Sequence, residues 1–145
     1  MLIPGVQASL RLRVEGPAAD DWVVVAVSVD CDRGSWSFRG PFLTVNEARG
    51  LSRWLTRVSR HGVPGMRLEF FEPVLAFELV SGSGPTVVLR ALFGHEGLPP
   101  FAKQHDEYAP SEQFRSEPID IEATVDALRA AGDELRHEVQ TLRWT

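Results

Sequence analysis

The residue types that could do chemistry fall mainly in the second half of the chain. His95-Glu96 and His105-Asp106-Glu107 bring imidazoles and carboxylates together, the side chains that hold a metal ion. Their spacing matches none of the helical or Cys/His patterns that present ligands on one face, so they read as parts of a solvated polar loop and no metal is expected. Glu69, Glu72 and Glu78 form a second group. Paired carboxylates act as acid and base when one of them sits in an apolar pocket. Here Glu69 and Glu78 occupy outward positions of alternating segments, and Glu72 precedes Pro73 in a turn. Cys31 is flanked by Asp30 and Asp32, whose charges oppose a thiolate. No serine lies in a G-x-S-x-G elbow, and Ser81-Gly82-Ser83-Gly84 lacks the lysine and helix start of a phosphate cradle. No nucleophile, metal set or cofactor cradle can be assembled. The expectation is a binding protein that is not an enzyme and carries no cofactor.

The elements that position these residues follow from hydrophobic periodicity. Leu10, Leu12 and Val14 alternate with charged residues, and Val23, Val25, Val27 and Val29 share one face of a run that is apolar on both sides. The turn residues Cys31 to Gly34 lead into Trp36 and Phe38, which predicts a hairpin. Thr44 and Glu47 form a capping box ahead of a helix with Ala48, Leu51, Trp54, Leu55 and Val58 inward, while Arg49, Arg53, Arg57 and Arg60 line its wet side. Three further alternating runs contain Leu68 and Phe70, then Leu75, Phe77 and Leu79, then Val87, Leu89, Ala91 and Phe93. Residues 94–115 read as a long irregular loop, 118–121 as a short strand, and 122–143 as a second amphipathic helix. The prediction is one α+β domain over residues 1–145, with an antiparallel sheet of about six to seven strands covered by two amphipathic helices. Trp36, Phe38, Trp54 and Phe77 are predicted core residues.

Composition narrows the function classes. The chain has 145 residues, 43% apolar and 24% charged, ordinary values for a folded domain. Its net charge of −5, from 20 acidic and 15 basic residues, disfavours nucleic-acid binding and suits a basic partner. No apolar run approaches the length of a membrane span, so no membrane association is expected, and the first residues do not read as a signal peptide. One cysteine leaves no internal disulfide and fits a reducing compartment, so a cytoplasmic location is expected.

Several segments, taken in order, carry a family resemblance. They are Asp21-Trp22-Val23 with its valine run, Gly34-Ser35-Trp36-Ser37-Phe38 leading through Pro41 to Leu43-Thr44, Glu47-Ala48-Arg49 with Leu51 and Trp54-Leu55, and Leu68 to Leu79 through Glu72-Pro73. With Leu89-Arg90 and Pro99-Pro100 after them, this order resembles the WapI-type immunity proteins, from about Leu10 to Pro100. The tail Thr141 to Thr145 departs from the Phe-Pro-rich end such proteins show. The resemblance implies an antitoxin-like role: binding the toxin domain, often a nuclease and hence basic, of a large polymorphic toxin. It supplies no catalytic residues.

Residue chemistry then selects the surface expected to meet such a partner. Loops display exposed residues on a scaffold, and the longest loop carries Glu96, Phe101, His105, Asp106, Glu107, Tyr108, Glu112 and Phe114. Phe101 and Tyr108 are the expected anchors, with Asp106 and Glu107 as the salt-sensitive rim. Glu72, fixed in its turn, is either a structural cap or a contact to a cation. Three other readings stay open from the residues alone: a small-ligand sensor or carrier, a structural or oligomerisation domain using a sheet edge, and an enzyme with unrecognised chemistry.

Overall fold

Alternating valine and leucine faces build nearly half of the described residues into strands, and the structure, a computed structural model, describes residues 1–103 and 116–142 (backbone alone at Ser83 and Lys103). Strands β1 (Leu2–Ile3), β2 (Ala8–Pro17), β3 (Trp22–Cys31) and β4 (Gly34–Thr44) form one antiparallel sheet in that order. Helix α1 (Val45–His61) leads to β5 (Arg67–Glu69), β6 (Leu75–Ser83), β7 (Thr86–Gly94) and β8 (Ser116–Thr124), a second antiparallel sheet, also in chain order. A single 3₁₀ turn (His95–Gly97) and the short helix α2 (Pro100–Lys103) follow β7, and α3 (Val125–Gln140) follows β8.

The α+β class and the antiparallel pairing agree with the sequence reading, but the sheet is divided. Period-2 patterning specifies which face of each strand turns inward, not which strand lies beside it. The division falls at α1, which separates β4 from β5 in the chain. Bulges at Val14/Gly16, at Val23/Val25 and at Leu79/Ser81 add local twist to each half. The two halves meet where the Val6 N–H donates to the Glu122 carbonyl at 3.2 Å, beside β8.

Both inner faces contribute to one continuous hydrophobic cluster. Val23, Val25, Val27 and Val29 of β3 join Phe77, Leu89, Phe93 and Ile121 of the second sheet, and Leu51, Leu55, Leu128 and Leu135 of the helices, all fully or almost fully buried. Trp36, Trp54 and Phe77 are buried as expected, and Phe38 is half-buried against the same cluster. The strand read at 118–121 extends to 116–124, so α3 starts at Val125, where the Thr124 hydroxyl accepts from the Ala127 N–H at 3.0 Å. The threonine cap fixes that boundary, which helical spacing alone leaves open by several residues.

Candidate partner-binding surface

The first turn of α1 organises the candidate site. Thr44 caps the helix: its hydroxyl accepts from the Glu47 N–H at 3.1 Å, and one Glu47 oxygen accepts from the Thr44 N–H at 3.1 Å. The other Glu47 oxygen accepts from the backbone N–H of Phe71 at 2.7 Å. One carboxylate therefore closes the capping box and pins the segment between β5 and β6 to the helix start. Hydrogen bonds to a charged acceptor are the stronger kind, so the pin holds the backbone in one place.

That pin displays an aromatic ring. Phe70 turns inward against Phe77, with centroids 6.5 Å apart. Phe71 is 81% exposed and rests edge-on against Trp22 at 6.3 Å. Asp20 and Asp21 precede Trp22 and line a surface hollow with Val45, Asn46 and Arg49, while the half-buried Glu72 follows Phe71. Among the described residues the Glu72 carboxylate accepts no hydrogen bond, and its carbonyl accepts from the Val74 N–H at 2.8 Å. The capping role that sequence reasoning weighed for Glu72 thus belongs to Glu47.

The next segment begins beside this loop. The Gly94 N–H donates to the Val74 carbonyl at 3.0 Å, which brings the 3₁₀ turn and its exposed Glu96 next to the Glu72 loop. At Gly97 a Cβ would stand 2.6 Å from the Val74 carbonyl oxygen, so only glycine permits this approach. The Gly97 carbonyl accepts from the Trp36 indole at 3.2 Å, and Phe101 is half-buried edge-on against Trp36 at 5.6 Å. The Arg33 guanidinium stands 3.9 Å from the Phe101 ring centre and pairs with Glu117 at 3.1 Å. Phe101 also lines a shallow surface hollow with Arg33, Ser35 and Pro100.

Of the residues selected from sequence, Glu72, Glu96 and Phe101 are therefore carried on adjoining segments. His105, Asp106, Glu107, Tyr108, Glu112 and Phe114 lie outside the described residues. Sequence reasoning missed Phe71, Trp22 and the second role of Glu47. A signal for Phe71 was present: adjacent aromatics in an alternating segment cannot both face the core, so one of Phe70 and Phe71 must face out.

Among the described residues no group of three His, Cys, Asp or Glu side chains could hold a metal ion. Glu69 and Glu78 both pair with Arg67, at 2.7 and 3.9 Å, on the outer face of the second sheet. Arg90 of the same face is raised above its ordinary pKa by its hydrogen bonds to Asp120 (2.8 and 3.2 Å), against the opposing effect of desolvation. The gap between the sheets bounded by Val25, Val27, Phe38, Phe70 and Leu75 has about 10 Å³ of free space, at the lower limit for a single water. No described helix is long and apolar enough to cross a membrane.

Comparison with known proteins adds one positive result. No curated protein and no solved structure matches the chain. The family described as Immunity protein WapI-like matches residues 1–142, which takes in both sheets and every helix described above. By that match over nearly its whole length, the chain belongs to the WapI-like immunity protein family.

Proposed function

We propose that the chain neutralises a cognate toxin domain by binding it, without catalysis of its own, and that the Phe71 surface is central to the contact. The observation that carries this reading is an aromatic ring that is exposed yet held. Phe71 is 81% exposed, its backbone is fixed by Glu47 and its ring edge rests on Trp22. A ring exposed to this degree contributes little to folding, and its ordering cost on binding is already met, which is the profile of an interface anchor. Asp20, Asp21 and Glu72 around it, with Glu96 on the neighbouring turn, suit a partner that brings lysine or arginine to the rings. The partner we infer is a basic protein domain, as a nuclease toxin would be, met in the cytoplasm of the producing cell. Glu72, Glu96 and Phe101 belong to the same proposed surface, and His105, Asp106, Glu107 and Tyr108 remain proposed contacts.

The direct test is protection in cells that express a cognate toxin domain. Phe71→Ala should melt with the parent protein yet lose protection, because truncating a central aromatic anchor costs about 2–4 kcal/mol of binding. Full protection by a folded Phe71→Ala protein would refute the assignment of the surface.

A further inference from the structure

Helix α1 carries a second feature that the Phe71 surface does not use. Arg49, Arg53, Arg57 and Arg60 are all exposed. Their spacing of one turn each places them within roughly 80° of the helix circumference and along about 16 Å of its length. Among the described residues none of the four pairs with a carboxylate, whereas every other described arginine except Arg11 does. The contrast with α3 is direct. There Arg129 lies 3.5 Å from Asp126 and Arg136 lies 3.1 Å from Asp133, each acid one turn earlier. The one carboxylate within α1, Glu47, is already shared between the cap and Phe71. Like charges one turn apart repel and weaken the helix that carries them, so the stripe opposes the stability of its own element.

We propose that this stripe docks an acidic helix of a partner protein, one that shows carboxylates at one-turn intervals along one side. The spacing is the first argument, because carboxylates repeating every turn recur at about 6 Å, the interval of the arginines. The surroundings are the second. Asp20 and Asp21, both exposed, share a hollow with Arg49 at one end of the stripe. A narrow acidic ridge meets arginines alone, whereas a broad polyanion such as duplex RNA would bring phosphates against these carboxylates, in a chain whose net charge is already −5. The stripe starts beside the Trp22–Phe71 pair, so a partner with acidic and basic patches in sequence would meet both, and the order of charge would fix its orientation. This step rests on the reading of the chain as a partner-binding protein.

The test needs no toxin, so its failure would remove the stripe and leave the Phe71 reading intact. Two stapled helical peptides of about 18 residues and equal composition are titrated against the whole protein, one with glutamates at the 4-4-3 spacing of the stripe and one with them spread round the helix. The patterned peptide should bind more tightly, with backbone amide shifts confined to residues 49–60. The double change Arg53→Gln with Arg57→Gln should weaken it about fivefold, the size expected for two exposed charge pairs, and Arg53→Lys with Arg57→Lys should restore most of that. Equal binding of the two peptides, amide shifts outside α1, or tighter binding of a short RNA duplex would each overturn the proposal.

Discussion

Glu47 is the residue on which the local account turns. Its two oxygens serve Thr44, three residues away, and Phe71, at a sequence separation of 24. The first contact was legible, because the Thr-x-x-Glu pattern ahead of an apolar stripe is a helix start. The second was not, because nothing in a local pattern says which distant N–H a carboxylate will meet. Glu47→Ala should therefore cost more than a lost cap alone, about 1–2 kcal/mol in urea denaturation, and should weaken partner binding as the Phe71 loop is released. Phe71→Ala should leave the unfolding free energy from urea denaturation within about 0.5 kcal/mol of the parent, since exposed side chains away from caps and cores change little. A Glu47→Ala protein that keeps both its stability and its binding would mean the pin has no consequence. Glu72 shows the same limit from the other side: its turn was legible, and that the carboxylate holding this turn is Glu47 was not.

At the scale of elements, periodicity located nearly every strand and both long helices, since β-branched alternation and helical apolar stripes are local properties. The grouping of strands into two sheets was not legible, because alternation marks the inward face of each strand and not where a chain-order ladder breaks, which here is at α1 between β4 and β5. The start of β8 was hidden because Ser116 and Glu117, outside the apolar alternation, still pair with Gly94 and Phe93. Packing between the helices gives a sharp test. A Cβ on Gly132 of α3 would lie 2.9 Å from the Thr56 hydroxyl and 3.0 Å from the Ser52 carbonyl oxygen, whereas one on Gly50 of α1 meets nothing within 4 Å. Gly132→Ala should destabilise by about 1–3 kcal/mol through overpacking, and Gly50→Ala should stabilise by up to about 1 kcal/mol through helix propensity. Paired denaturation curves check both signs at once, and equal effects would mean that α1 and α3 do not pack as described. Trp36→Phe probes the β4 contact with the 3₁₀ turn. It should cost about 1–3 kcal/mol by leaving the Gly97 carbonyl unpaired.

At the scale of the whole molecule, a net charge of −5 conceals segregation. Asp20, Asp21 and Glu72 lie on the chain segments that carry the Trp22–Phe71 pair, and the arginines without a carboxylate partner among the described residues gather on one side of α1, with Arg11 apart. Composition led to the expectation of a basic partner, but an overall sum cannot reveal a stripe of the opposite sign. We propose that this WapI-like family member silences a toxin domain by a rigid contact built round Phe71. The most direct measurement is calorimetric titration of a cognate toxin domain into the wild-type protein and the Phe71→Ala variant, at low and at moderate salt, with toxin activity read on the same mixtures. The account predicts a stoichiometric complex that abolishes toxin activity and weakens as salt rises, with a loss of about thirtyfold or more in affinity for a Phe71→Ala protein whose melting is unchanged. Equal affinity and equal inhibition by the two proteins, or no complex with the wild-type chain, would contradict it.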